Sequence, residues 1–333
     1  MLKRYKQVFI SIPFILILGT ISCKTNQDQS IGMAVEFMDH AACAYVSRDK
    51  GWFKEEGLNL STYESYVTGM ALASAMVRGD IQIAYMCLIP AINVYANAQI
   101  PIKILAGTHK YGYGLVVNPN KIKKVSDLQK QGLNIGCVRE GGSVDIVLHK
   151  TMEKYYLDKA KILKNIRRMN PPKQILAIKS GKLDAAFLPE QWATMAEDHG
   201  FKMLLTAKDI WPQMQGSVLV IKDNLLKKHP AVAKNLIAVT EKSTLWLNAH
   251  PSQAANILAK QMQSIKEPLL PVKTANLTKL SELNGKMLKR SMARIDFKTD
   301  ISPKMIQSTI DYMAELGYIK KSFKAKEILY DKI

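Results

Sequence analysis

Cysteine is scarce in this sequence. Only four of the 333 residues are cysteines, and no two have the short spacing, such as CxxC, that is typical of a zinc site. Cys23 belongs to the N-terminal segment considered below, which leaves Cys43, Cys87 and Cys137. Because three is an odd number, at least one thiol is free or pairs with another chain. We interpret at least two of them as small buried apolar residues, and the sequence predicts neither a metal nor a cofactor.

Acidic residues are also few. The chain has 28 Asp and Glu residues against 47 Lys and Arg residues, a formal net charge of +19. Lys3, Arg4 and Lys6 carry three of these charges, so about +16 remains for the rest. The basic residues are dispersed, and no long basic run is interleaved with stacking aromatic residues, which argues against nucleic-acid binding. A basic surface that faces an anionic membrane or attracts anions explains the charge more simply.

The apolar run near the N-terminus is too short for a good membrane span. Residues 1–7 are basic, Val8–Leu18 is apolar, and Cys23 follows the small residues of Leu18-Gly19-Thr20-Ile21-Ser22. This order resembles the lipobox of bacterial lipoproteins. We therefore predict a signal peptide over 1–22, acylation of Cys23 as a membrane anchor, and a polar tether over 23–30. The alternative is an ordinary secretory signal with an incidental cysteine, and both place the mature protein outside the cytoplasm.

From Ile31 onward, short apolar runs alternate with amphipathic segments. This βαβ order predicts parallel, doubly wound sheets and an α/β fold. The predicted strands are Ile31–Phe37, Leu58–Glu64, Ile81–Tyr85, Ile102–Ala106, Leu133–Val138, Ile162–Arg168, Leu183–Leu188, Lys202–Leu205 and Ser217–Ile221. Residues after Asn224 have helical periodicity, which predicts a helical C-terminal part.

Two such units predict two lobes joined by extended hinge strands at Gly114–Asn118 and Gly216–Ile221. The first lobe would be discontinuous, with residues 30–115 and 220–333, and the second would cover 116–216. In sheets of this kind, ligands bind beyond the carboxyl ends of the strands. The expected binding site is therefore the cleft between the lobes.

Several segments, in order, resemble one family. They are Tyr45–Leu58 with its Gly51-Trp52-Phe53, Met76–Ala84, Val125–Leu128 followed by Gly132–Gly136, Ile178–Ala185 and His229–Val232. The pattern is similar to the nitrate, sulfonate, taurine and thiamine-precursor group of solute-binding proteins, which have the type 2 periplasmic-binding fold. The resemblance implies a monomer that captures a small-molecule ligand and delivers it to the permease and ATPase subunits of an ABC importer. It implies no catalysis, and no paired carboxylates, serine triad or metal cluster is recognisable along the chain.

Candidate ligand residues in the first lobe follow the predicted strands. Asp39 and His40 come after the first strand, where thiamine-precursor relatives carry a histidine, although Asp39 could instead cap a helix. Met86 and Cys87 end the third strand and could face an apolar ligand or pack in the core. His109 and Tyr111 follow the fourth strand, and we expect them to meet an anion and to stack on a ring.

Candidates in the second lobe begin with Gly141, Gly142 and Ser143. They open a helix, and free amides with the helix dipole favour an anionic group there, although Ser143 could simply cap the helix. Glu190 could accept a hydrogen bond from an amino group, and Trp192 could wall the organic part of the ligand. Trp211 is a second candidate wall, and packing between helices is the alternative for both tryptophans.

The ligand class stays open at this point. The glycines and the basic residues favour an anion such as an alkyl or aryl sulfonate. The aromatic residues, Glu190 and His40 favour a heteroaromatic ligand such as a thiamine-pyrimidine precursor. Two other functions are a pyrimidine-synthase enzyme on the same fold, and a sensor or metal-handling lipoprotein suggested by the methionines and free cysteines.

Overall fold

The computed structural model describes residues 31–264 and 282–331. The predicted signal peptide, the tether and Cys23 lie outside these residues. Within them, no helix combines the length and the apolar character that a membrane crossing requires. The described residues form two mixed sheets with helices packed around them.

The first sheet has six strands in the order β11-β4-β10-β3-β1-β2. Strand β1, next to the edge strand β2, is buried along its whole length, as its mainly apolar sequence IGMAVE requires, and pairs in parallel with both neighbours. The strands are β1 (Ile31–Glu36), β2 (Leu60–Tyr66), β3 (Ile83–Cys87), β4 (Ile102–Tyr111), β10 (Gln215–Lys222) and β11 (Ile295–Asp296).

The second sheet has five strands in the order β7-β6-β8-β5-β9. The strands are β5 (Tyr113–Val117), β6 (Ile135–Cys137), β7 (Ile166–Arg168), β8 (Ala185–Pro189) and β9 (Lys202–Thr206). The first sheet thus draws on residues 31–111 and 215–296, and the second on residues 113–206. The chain crosses from one sheet to the other at Gly112, which has φ +85°.

Helices connect the strands and cover both sheets. They are α1 (Ala42–Asp49), α2 (Trp52–Glu55), α3 (Gly69–Arg78), α4 (Leu88–Ala96), α5 (Ser143–Lys154), α6 (Lys159–Asn165), α7 (Pro171–Lys179), α8 (Glu190–Asp198), α9 (Ala207–Ile210), α10 (Asp223–Lys228), α11 (Pro230–Ala249), α12 (Pro251–Gln263), α13 (Gly285–Met292) and α14 (Pro303–Glu315). Short 3-10 turns occupy Asp39–Ala41, Val125–Gln129 and Ala325–Glu327. The α/β fold class with a helical C-terminal part is confirmed.

The prediction of parallel sheets was right for β1 with β2 and β3 and for β6 with β7 and β8, but wrong for two other strands. Strand β10 lies between β3 and β4 and is antiparallel to both, and β5 is antiparallel to β8 and β9. These are the strands on which the chain enters the second sheet and returns to the first. Each arrives from the other sheet instead of through a crossover helix, so the parallel sense of a βαβ unit does not apply to it.

One predicted strand is largely a helix. The Asp158 side chain accepts a hydrogen bond from the Lys161 amide at 3.2 Å and starts α6, which continues to Asn165. Only Ile166–Arg168 is extended, where the prediction gave Ile162–Arg168. A run of alternating apolar residues fits either element, and the capping residue decides for the helix.

Candidate functional site

A cavity of about 390 Å³ lies where the carboxyl ends of strands from the two sheets meet. Its walls are mainly apolar, with a few polar and charged groups. The first-sheet side contributes Met38, Val67, Thr68, Gly69, Met70, Ala71, Cys87 and Pro90, and Tyr113 follows the crossing. The second-sheet side contributes Val138, Arg139, Gly142, Ser143, Val144, Arg168, Met169, Asn170, Pro171 and Pro189. A volume of this size suits a small organic molecule.

Five helices begin at this cavity. Their first residues, or the residues just before them, are part of its lining in α3, α4, α5, α7 and α8. A helix leaves its first amides without acceptors of its own, and its dipole adds partial positive charge at that end. Thr68 and Asn170 cap the starts of α3 and α7, and α7 opens with two prolines, so these two helices supply few free amides. The dipoles of the five starts, together with the uncapped start of α5, make the cavity favourable for a negative group.

The start of α5 and the residue Arg139 form what we call the rim, defined as Arg139, Gly142, Ser143 and Val144. The Ser143 hydroxyl is buried near the Tyr113 phenol and makes no well-formed hydrogen bond within the described part of the chain. Arg139 is exposed, and among the residues described here its guanidinium has neither a salt bridge nor a hydrogen bond. The rim therefore presents a buried hydroxyl and an uncompensated positive charge.

The other arginine of the cavity is already neutralised. Arg168 donates to the buried carboxylate of Asp145 and lies 3.6 Å from Glu140. Asp145 also accepts hydrogen bonds from the Tyr318 phenol and from the Gly141 amide, the latter at 3.1 Å. Of the two arginines that line the cavity, Arg139 is thus the one whose guanidinium is not paired with a carboxylate of the described residues and can bind a ligand.

Three buried side chains of the first-sheet side form what we call the floor, defined as Glu36, His40 and Cys87. Each is at most 2% exposed, and only Cys87 reaches the cavity surface. The Cys87 thiol donates to Glu36 Oε2 at 2.8 Å, and the Cys87 amide donates to Glu36 Oε1 at 2.9 Å. His40 Nδ1 lies 3.7 Å from Cys87 Sγ. A carboxyl, an imidazole and a thiol are therefore clustered with ligand atoms within 4.8 Å of one another.

Burial sets the protonation of the floor. Loss of hydration raises the pKa of Glu36 from 4.5 to about 7, against the lowering effect of its hydrogen bonds from Cys87. The same cause lowers the pKa of His40 to about 4 and raises the pKa of the Cys87 thiol well above its usual value. The imidazole is therefore neutral near pH 7, and the thiol keeps its proton.

Two of the predicted histidines lie together, but only one belongs to the floor. The His40 and His109 rings have centroids 4.3 Å apart. His109 accepts from Ser217 at 2.9 Å and donates to the Lys110 carbonyl at 3.2 Å. Burial and the neighbouring His40 lower the pKa of His109 well below its usual value. His109 is therefore a neutral, internally satisfied group behind the floor.

Other predicted residues of the first-sheet side do not line the cavity. The buried Asp39 carboxylate accepts from the Ser291 hydroxyl, and the Asp39 amide donates to Gln191 at 2.6 Å. Met86 is packed in the core. Tyr111 is half-buried and pairs with Ile295 across β4 and β11.

On the second-sheet side, Gly142 and Ser143 line the cavity and Gly141 directly precedes them. Glu190 is buried and forms a salt bridge with Arg294 at 3.0 Å. Trp192 is 2% exposed and packs against Phe37, with ring centroids 6.4 Å apart. Trp211 packs edge-on against Tyr312. None of these last three side chains is part of the cavity lining.

Glu36 and Arg139 were not predicted. Glu36 is a charged residue that ends the apolar run of β1, and such a break was the available signal for a special environment. Arg139 lies in a basic chain among many arginines and lysines, so nothing in the sequence singled it out.

A family model described as NMT1-like matches residues 25–262. The chain belongs to the NMT1-like family. Three proteins illustrate what this NMT1-like chain is similar to. A Brucella abortus protein named as a binding protein is 25% identical over 290 residues, which cover 85% of this chain and 84% of that protein. The taurine-binding periplasmic protein of Escherichia coli is 22% identical over 221 residues, covering 66% and 67%.

The third is a solved structure from Staphylococcus aureus, the ligand-binding component of an ABC-type import system with zinc bound. It superposes on this NMT1-like chain with a TM-score of 0.73, covering 91% of this chain and 97% of that one. The two share 16% sequence identity. That similarity shows a common fold, and the zinc is a property of the other protein.

Proposed function

We propose that this chain is the extracytoplasmic solute-binding component of an ABC importer. It captures a small organic anion in the cavity between the two sheets and delivers it to the permease and ATPase subunits. The observation that carries the proposal is the convergence of five helix starts and the unpaired Arg139 on one apolar cavity. The Brucella, Escherichia and Staphylococcus proteins support it, because all three are named as binding proteins or ligand-binding components.

The ligand we favour has a compact anionic head and an apolar body, as an alkyl or aryl sulfonate has. The rim supplies amides, a hydroxyl and a guanidinium for the head, and the methionine, valine and proline side chains suit the body. A heteroaromatic ligand has less support, because Glu190 is paired with Arg294 and Trp192 with Phe37. The taurine-binding relative is consistent with the first class, since taurine is a sulfonate.

We propose that the two sheets are the cores of two lobes that close over the ligand. Side chains already tie the two sides together: Gln191 of α8 donates to the Phe37 carbonyl at 3.1 Å, and Tyr318 donates to Asp145 of α5. Closure would shut the cavity and present a new surface to the permease. The protein would act as a monomer, and it would bind its ligand without turning it over.

Arg139 gives the sharpest test of the binding proposal. Calorimetric titration of the full chain with taurine, an alkanesulfonate and inorganic sulfate should identify a binder, which should also raise the melting temperature. Arg139→Met should weaken that binding about tenfold or more, because a hydrogen bond to a charged group is worth about 1.5–3 kcal/mol. Arg167→Met is the matched control, since Arg167 is also exposed but does not line the cavity.

Equal affinity in the Arg139 and Arg167 variants would contradict the rim as the anion site. Steady conversion of the bound ligand, at a rate proportional to protein, would contradict a purely binding role. Binding of an aminopyrimidine in preference to all anions would show that the ligand is heteroaromatic and not a sulfonate-type anion.

We also propose that Cys23 is acylated and anchors the mature protein to a bacterial membrane. A basic segment, a short apolar segment and small residues precede this cysteine, which supports processing as a lipoprotein. Metabolic labelling with a fatty-acid analogue should mark the wild-type protein and not Cys23→Ser. Equal labelling of both would leave an ordinary secretory signal as the explanation.

A further inference from the structure

We propose that Glu36, His40 and Cys87 bind a zinc-type divalent cation at the floor of the cavity, with one coordination position left open toward the cavity. Carboxylate, imidazole and thiolate are the side-chain ligands that zinc takes in proteins, and sites with three protein ligands keep a fourth position for water or another donor. The proposal concerns a different part of the cavity from the rim and does not depend on the bound organic ligand.

The spacing of the floor suits a tetrahedral ion. With bonds of about 2.3 Å to sulfur and about 2.05 Å to nitrogen, the two ligand atoms of a tetrahedral zinc site lie about 3.6 Å apart. His40 Nδ1 and Cys87 Sγ are 3.7 Å apart. Cys87 Sγ and Glu36 Oε2 are closer, at 2.8 Å, because they share the thiol proton that a cation would displace.

The hydrogen bonds around His40 fix the tautomer that a metal needs. His40 Nε2 lies 2.6 Å from the Gly112 carbonyl oxygen, which can only accept, so Nε2 carries the proton. The unprotonated Nδ1 is then the atom on the side of Cys87. A metal-bound histidine characteristically donates its other N–H to a carbonyl or carboxylate in this way.

Two glycines, Gly69 and Gly112, make room for the cluster. A Cβ on Gly69 would lie 2.1 Å from Glu36 Oε1, and a Cβ on Gly112 would lie 2.6 Å from His40 Nε2. The Tyr113 phenol donates to Cys87 Sγ at 2.9 Å and would support a thiolate. Each floor residue is thus held in place by groups that leave its ligand atom directed at the other two.

The charge of the floor also fits a divalent cation. Within the described residues, the buried Glu36 has no salt-bridge partner, and the hydrogen bonds to its carboxylate come from Cys87 alone. A buried carboxylate without a cation is unfavourable unless it is protonated. One thiolate and one carboxylate together would neutralise a +2 ion, so the loaded floor would carry no net charge. Cys87 lines the cavity, which gives the ion its route in.

Cobalt and zinc titrations of the full chain, freed of metal with a chelator, test this directly. Wild type should bind one equivalent of Co²⁺ with a near-ultraviolet thiolate-to-cobalt band, and Zn²⁺ should displace it. Cys87→Ala should lose the band and bind zinc at least about 100-fold more weakly, since losing only a hydrogen-bond partner of a metal ligand costs about 10–100-fold. The matched control is Cys43→Ala, which removes another buried thiol and should keep both properties.

Wild-type protein that shows no thiolate-to-cobalt band would overturn the proposal without any variant. So would a band that survives in Cys87→Ala, or that disappears in Cys43→Ala instead. His40→Gln should also abolish tight zinc binding, which guards against misfolding of a single variant. Anion binding is measured on the metal-free protein, so a failure of the zinc site and a failure of the rim are seen separately.

Discussion

The rim lines the cavity and the floor reaches it through Cys87, and the two are built in different ways. The rim offers groups whose charge is fixed: helix amides, a hydroxyl and the guanidinium of Arg139. The floor offers an acid, a base and a thiol whose charges depend on protons, because burial moves the pKa of Glu36 and His40 toward the neutral forms. Under the two proposals above, one cavity combines a surface for an exchangeable anion with one for a tightly held cation.

Trp192→Ala should have the largest effect. It should lower the stability of the fold, because Trp192 belongs neither to the rim nor to the floor. Its indole is 2% exposed and packs on Phe37, so removing it leaves a cavity in the core. We expect a loss of about 3–5 kcal/mol in the free energy of unfolding, measured by denaturant titration. Trp52→Ala, at a half-buried indole, should cost less. A large loss of anion affinity with normal stability would instead return Trp192 to the binding site.

Glu36→Gln should change how the stability of the metal-free protein depends on pH, because Glu36 takes up a proton on folding. The folded-state pKa of Glu36 is about 7 and its ordinary value is 4.5, so folding favours the protonated acid. The stability that this acid contributes is present below pH 4.5 and is lost as pH rises to about 7, by about 3 kcal/mol in total. The glutamine variant should lack this loss, so its stability relative to wild type should rise over that pH interval.

The opposite trend of His40 does not affect this prediction, because both proteins retain His40 and its contribution cancels in the difference. Denaturant titrations at a series of pH values measure it. A difference between the two proteins that is constant from pH 4.5 to 7 would mean that Glu36 is not protonated on folding.

Gly142→Val should have a smaller effect, confined to the rim. A Cβ at Gly142 would lie 3.1 Å from Val138 Cγ2 and 3.2 Å from the Arg139 carbonyl oxygen, so the larger side chain must displace the rim or narrow the cavity. We expect the anion affinity to fall about tenfold, or ~1.4 kcal/mol, with zinc affinity unchanged. Calorimetry of both ligands decides it, and Gly142→Ala should lie between wild type and the valine variant. Equal losses for anion and zinc would remove the distinction between rim and floor.

The sequence offered candidates in both surfaces, Gly142 and Ser143 in the rim and His40 and Cys87 in the floor, but it did not single out Arg139 or Glu36. Gly141-Gly142-Ser143 is contiguous, follows a strand and opens a helix, and each of these features is local. The floor joins the end of β1, the turn after it and the end of β3, so it depends on how two strands pair across the sheet. Cys87 and His40 were each candidates, but the Glu36 carboxyl was not, because its hydrogen-bond partner Cys87 is distant in sequence.

In the fold, too, local features could be predicted and features that depend on distant residues could not. Helices and strands with local signals were largely predicted, whereas the antiparallel sense of β5 and β10 was not. Their direction is set by the passage of the chain between sheets, which periodicity does not record. Trp192 and Glu190 were placed at the end of a strand, as expected, but their orientation depends on Phe37 and Arg294, which come from distant parts of the chain.

Gly112 gives the molecule a mechanical link between its two halves. The chain crosses between the sheets at this residue, and its carbonyl holds the His40 ring at 2.6 Å. In the opening and closing that we propose for the two lobes, a rotation of the backbone here would pull that carbonyl away from the imidazole. The His40 ring would then change its hydrogen-bonding state each time the molecule opens. The NMR resonances of the His40 ring nitrogens should therefore report the opening of the molecule without an attached probe.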